Sequence, residues 1–170
     1  MEKVSLPDRA EIAALLRRLD DPIHLEYPAR FNCAAEQRRF QSLIAELGQR
    51  FGCTCEAESG RQVQDASYLG QLVIQASATA NGMAIFVRVS NFDGLALLGA
   101  EGPGRYDDAE TPYLIAETDR GAVLEVLAEL NYAPLLEDAL SAGYDGTSGA
   151  LRGAYPSHPP TWFIRYFDYL

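Results

Sequence analysis

The chain has 170 residues and sets 14 Lys and Arg against 24 Asp and Glu, a formal net charge of −10. Hydrophobic residues make up 48% and charged residues 22%, an ordinary globular usage that excludes a disordered or fibrous chain and suits one domain with its own core. An acidic balance of this size argues against non-specific nucleic-acid binding, which needs a basic patch, and favours a basic partner, although charge alone also serves solubility.

The N-terminal stretch "MEKVSLPDRAEIAALLRR" lacks the continuous apolar segment of a secretory signal and reads as an amphipathic helix. Ser5 is its expected cap, with Pro7 in the first turn and Asp8 in the capping-box position. Ile12, Leu15, Leu16 and Leu19 follow at helical spacing, and Pro22 stops the helix. "IHLEYPARF" reads as extended. Asn32 is placed to cap a second helix, whose apolar face is Phe40, Leu43, Ile44, Leu47 and Phe51, with Gly52 at its end.

The period then changes from helical to two. "CTCEAE" alternates Cys53, Cys55 and Ala57 against Thr54, Glu56 and Glu58, the pattern of a half-buried strand. "YLGQLVIQASA" and "MAIFVRVS" read as strands joined at Asn81-Gly82, and Asp93-Gly94 turns the chain into "LALLG". These runs predict an antiparallel meander. "AEGPGRYDDAETP", residues 100–112, is a long Gly, Pro and acid loop, and "YLIAE" reads as extended. Thr118 or Asp119 is the expected cap of a third long helix with Val123, Val126, Leu127 and Leu130 on its face. A short helix is expected after Pro134, using Leu135, Leu136 and Leu140, and residues 141–160 read as irregular.

The tail "TWFIRYFDYL" closes the reading. At period two, Phe163, Arg165, Phe167 and Tyr169 alternate with Trp162, Ile164 and Tyr166, so both faces are apolar and both should be covered. The expectation is a docked closing strand in which Arg165 needs a carboxylate or carbonyl partner, or else grips an anionic ligand. The whole predicts a single α+β domain over residues 1–170, with a mainly antiparallel sheet, helices packed against it and a C-terminal closing strand. No stretch is apolar and long enough to span a bilayer, and the cytoplasm is the expected compartment.

Chemistry-bearing residues are sparse. Cys53-x-Cys55 offers two thiols on one strand face, Cys33 lies far away in sequence, and His24 and His158 stand outside ligand-spaced motifs. Buried free thiols fit better than a metal site, and nothing forms a nucleophile elbow or a phosphate loop. The expectation is no catalytic residue, no cofactor and no metal. The best interaction candidate is "RYDDAET", where Asp107, Asp108 and Glu110 gather charge beside Tyr106. "RQVQDASY", with Arg61, Gln64 and Tyr68, is a weaker second candidate. A plain solvated loop is the alternative for both.

The tail "W-x-x-R-Y-F-D-Y-L", from Trp162 to Leu170, together with "NYAPLLEDAL" and the following Tyr144-Asp145-Gly146, resembles a family of actinobacterial immunity proteins encoded beside secreted polymorphic toxins. The specific motif covers only the end of the chain. The resemblance implies a cytoplasmic protein that binds a cognate toxin domain, as the family's inhibitor of an NAD-degrading toxin obstructs the NAD pocket. It implies a one-to-one complex without membrane or nucleic acid, and it assigns no contact residues. The motif residues read as core. A regulatory or scaffold interaction domain and a small-molecule-binding protein are the alternative classes.

Overall fold

The computed structural model describes residues 5–170. Helix α1 spans Arg9–Leu19, and its cap is Asp8 rather than Ser5: the Asp8 carboxylate accepts from the Glu11 amide while the Glu11 carboxylate accepts from the Asp8 amide. Helix α2, Cys33–Phe51, begins on the Asn32 side chain and ends at Gly52 with φ +62°, as its sequence predicts. The segment between them is no strand; it is an irregular loop.

Strands β1 (Glu56–Ser59), β2 (Tyr68–Ile74), β3 (Ile85–Ser90) and β4 (Leu95–Ala100) form the antiparallel meander. Cys53 and Cys55 precede β1 instead of lying on it. The Asp93-Gly94 turn holds, with φ +39° and +72° at the two positions. Asn81-Gly82 makes no tight hairpin, because residues 75–84 form a longer connection with a 3₁₀ turn. Helix α3, Thr111–Leu114, occupies part of the stretch read as extended. Helix α4, Glu117–Glu129, starts one or two residues before the expected caps, after Ala116. The helix expected after Pro134 is instead strand β5, Ala133–Leu135, parallel to β4, followed by a 3₁₀ turn at Glu137–Leu140. Helix α5, Gly149–Ala154, interrupts the stretch read as irregular, and α6, Trp162–Phe167, replaces the predicted closing strand.

The result is an α+β domain built around one five-stranded sheet, order β1-β2-β3-β4-β5. Period two divides the sheet between two cores. Leu72, Ile74, Ile85, Val87, Val89, Ala96 and Leu98 face α2 and α4. Phe86, Leu95 and Leu97 face α1, α5 and α6. Both faces are covered, so every residue of β4 is buried. A cross-strand fit tightens the second face: a Cβ at Gly99 would sit 2.7 Å from the Phe86 ring, which lies opposite it in the register. The two helices of the first face are tied by Arg39 of α2, whose Nε donates to the Leu130 carbonyl at 2.8 Å while the guanidinium lies 4.0 Å from the Tyr132 ring centre.

The tail remains buried although it is not a strand. Thr161 caps α6 by accepting from the Ile164 amide, and Trp162, Tyr166 and Phe167 enter the second core. Its two ends pair in extended fashion, through a Gly143–Thr161 bridge, an Ala66–Tyr169 bridge and a Leu170 amide donating to the Asp65 carbonyl at 2.7 Å.

Candidate functional site

The acidic loop is ordered by its own carboxylates. Asp107 accepts from the Glu110 amide at 2.8 Å, and Glu110 accepts from the Asp107 amide at 3.1 Å. Asp108 accepts from the Asp138 amide at 2.9 Å, and Glu137 accepts from the Gly104 amide. Burial pushes the Asp108 and Glu137 carboxyls up from the ordinary carboxylate range, with neighbouring acids adding to the effect against those amide donors. Asp107 and Glu110 keep exposed surface while they cap. Tyr106, however, is half-buried against the first core, so its ring is a packing element. The exposed aromatic of this face is Tyr113 on α3, 85% accessible, which the sequence reading passed over.

The second predicted group divides. Arg61 and Gln64 are exposed, and Gln64 donates back to the Arg61 carbonyl. Tyr68 is 2% accessible, with its hydroxyl donating to that of Tyr169 at 2.9 Å and its ring under the Arg88 guanidinium, 4.2 Å away. It supports the C-terminus from inside and offers no ring to a partner.

Arg165 organises a site that was hidden in the sequence. It is wholly buried, and its Nε donates to Asp20 at 2.7 Å. Its other nitrogens donate to the backbone carbonyls of Asp21 at 2.8 Å, Leu25 at 3.0 Å and His24 at 3.2 Å. The carboxylate and carbonyls expected of its surroundings are both present, and each of its three nitrogens has an acceptor within the protein. The guanidinium also lies over the rings of Phe92 and Tyr166.

The motifs behind the family resemblance converge on the same point. The Tyr144 hydroxyl donates to Asp20 at 2.6 Å, and Tyr144 meets Trp162 edge to face. Asp145 pairs with Arg17 of α1 at 2.7 Å. Gly146 lies so close that a Cβ there would collide with the Asp20 carboxylate and the Tyr144 ring. Burial, followed by the bond to Asp20, pushes the Tyr144 phenol up from its ordinary value.

This arrangement fixes the loop that follows α1. Asn91 adds a bond to the Glu26 carbonyl at 2.9 Å. Asp21 accepts from the amides of Ile23, His24 and Ala29 and from the His24 ring. Burial works to raise the Asp21 carboxyl, but the bonds from His24 and Ile23 outweigh it and hold the group below its ordinary value. With its backbone satisfied inward, the loop turns Ile23, 83% accessible, and Tyr27, 48% accessible, outward. They border an open groove of about 500 Å³ that Asp65 and Leu170 complete. Asp65 belongs to the weaker of the two segments singled out in the sequence, although it was not one of the residues named there.

The three thiols are unpaired: Cys33 is exposed, Cys53 half-buried and Cys55 buried. Burial, with Cys53 adjacent, pushes the Cys55 thiol up to about 12, which keeps it protonated and unreactive at neutral pH. Among the described residues no group of three or more His, Cys, Asp or Glu side chains could hold a metal ion, and no helix is long and apolar enough to cross a membrane. No family model, no curated protein and no solved structure matches this chain.

Proposed function

We propose that this chain is a cytoplasmic immunity protein that binds a basic toxin domain one-to-one and blocks its active site without catalysis. The observation that carries this reading is the pre-ordered acidic face on a chain of net charge −10: Asp107 and Glu110 are exposed and held by reciprocal caps beside the exposed Tyr113. A face whose geometry exists before binding loses less entropy on association. Its carboxylates speed encounter with a basic partner, and an exposed aromatic supplies an anchor. The toxin class suggested by the tail motif is an NAD glycohydrolase or a nuclease, whose basic site an acidic face can occupy.

The test is co-expression with the protein encoded beside it, followed by association kinetics at low and physiological salt. Asp107→Asn, Asp108→Asn and Glu110→Gln keep the side-chain oxygens that cap the loop but remove the charge. The combined variant is expected to associate more slowly at low salt, with the difference shrinking as salt rises. Tyr113→Ser is expected mainly to speed dissociation. Unchanged kinetics in both variants would remove this face from the interface. No complex with the neighbouring protein, and no protection against it, would end the immunity reading.

A further inference from the structure

Ile23, Tyr27, Tyr169 and Leu170 are four of the five large hydrophobic side chains exposed among the described residues. Ile23, Tyr27 and Leu170 line the groove, and Tyr169 is the neighbour of Leu170. Single exposed apolar side chains need no explanation, but a group of them around a groove does.

The support beneath the groove is unusually firm for an irregular loop. A buried Arg165 consumes the carbonyls of Asp21, His24 and Leu25, and Asn91 consumes that of Glu26. Tyr27 stacks on Phe31 at 5.4 Å between ring centres. On the opposite wall, the Leu170 amide is bonded to the Asp65 carbonyl, and Tyr169 is bonded to the buried Tyr68. Both walls are anchored to core residues, so the groove exists before anything enters it.

Charge selects the occupant. The carboxylates in the lining are Glu26 and Asp65, both on exposed residues. Among the described residues no Lys or Arg lines the groove, and the base in its lining is His24, whose ring is already bonded to Asp21. Apolar walls between two carboxylates fit a chain that carries cations and apolar side chains together. A second acidic copy of this protein would bring like charge to the same place.

We propose that this groove is a docking site for a basic, apolar-bearing segment of a partner protein, with Ile23 and Tyr27 as the anchors. The proposal deepens the partner-binding reading and adds a second surface to the acidic face around Tyr113.

The experiment pans the immobilised full chain against a displayed library of random short peptides. Enriched peptides are expected to combine Lys or Arg with aromatic or aliphatic residues. Ile23→Ser with Tyr27→Ser is expected to weaken the best peptide by about thirtyfold or more, the size of an interface hot spot, with thermal midpoint and circular dichroism unchanged. Glu26→Gln with Asp65→Asn is expected to weaken it and to flatten its salt dependence, while Tyr113→Ser leaves it unaffected. Enrichment of acidic peptides, enrichment of none, or binding indifferent to Ile23 and Tyr27 would overturn the proposal. So would concentration-dependent dimerisation abolished by the same two serine substitutions, which would make a second copy the occupant. If peptides bind here but the neighbouring protein is not captured, the immunity reading fails and the docking site stands. If the neighbouring protein binds equally with Ile23 and Tyr27 replaced, the reverse holds.

Discussion

The loops at residues 20–31 and 101–110 are both irregular, but they are held in opposite ways. The acidic loop is tied by exposed or half-buried carboxylates reaching single amides, two of them three residues away and two of them 30 and 33 residues away. The N-terminal loop is tied from underneath by one buried cation reaching one carboxylate and three carbonyls 140 to 145 positions earlier in the chain. Local caps are independent of one another and individually modest. A buried cation is coupled to everything it touches, because each unmade bond strands a polar group away from water. Substitutions should therefore separate the two loops sharply.

The largest effect is expected at Arg165. Arg165→Ala leaves the Asp20 carboxylate without its cation, with only the Tyr144 hydroxyl donating to it, and three loop carbonyls without the Arg165 donor, and should cost about 3–5 kcal/mol in chemical denaturation. Asp20→Ala should fall in the same range by leaving the cation unpaired. A loss no greater than that of a surface mutant in either case would remove the distinction between the loops.

Gly146→Ala comes next. Its added methyl meets the Asp20 carboxylate and the Tyr144 ring, and overpacking of this kind costs about 1–3 kcal/mol. A neutral result would mean that residues 144–146 can move away from Asp20 freely. Glu110→Ala or Asp107→Ala should cost less, about 0.5–2 kcal/mol each, the value of one cap. Asp108→Asn should leave the thermal midpoint unchanged or raise it at neutral pH. The Asp108 carboxyl is shifted up by burial, so what it contributes to stability is present in acid and lost as pH rises through its folded value.

The smallest effect is expected from acid. The Asp21 carboxyl is held below its ordinary value, so its contribution is present above about pH 4 and lost as pH falls through the depressed value. Amide exchange at Ile23, His24 and Ala29 should speed up in that window before the core does. Simultaneous loss of loop and core protection would mean that Asp21 does nothing locally.

The same contrast explains what could be read from the sequence. Sheet strands with a buried face announce themselves by alternation, and the Asp93-Gly94 turn and the Asn32 and Gly52 caps are local chemistry. The acidic loop was visible as composition, although composition could not say that Tyr106 packs inward while Tyr113 stands out. The tail misled because a short helix buried on all sides has no polar face, and at six residues its period cannot be told from two. Thr161 after Pro159-Pro160 was the available signal, a cap residue following a pair that cannot lie inside a helix. The groove had no local signal, since Arg165 shapes the loop through backbone carbonyls far away in sequence, and carbonyls leave no trace in side-chain identity.

The most direct test of this account is the side-chain nitrogen spectrum of Arg165 by NMR at neutral pH. A guanidinium buried without solvent contact and bonded to Asp20, Asp21, His24 and Leu25 should give an individually resolved Nε–H signal in slow exchange with water. Nuclear Overhauser contacts should run from it to residues 20–25. An Arg165 signal that exchanges as fast as the exposed arginines, with no contact to that segment, would contradict the claim that this residue builds the loop and the groove it borders.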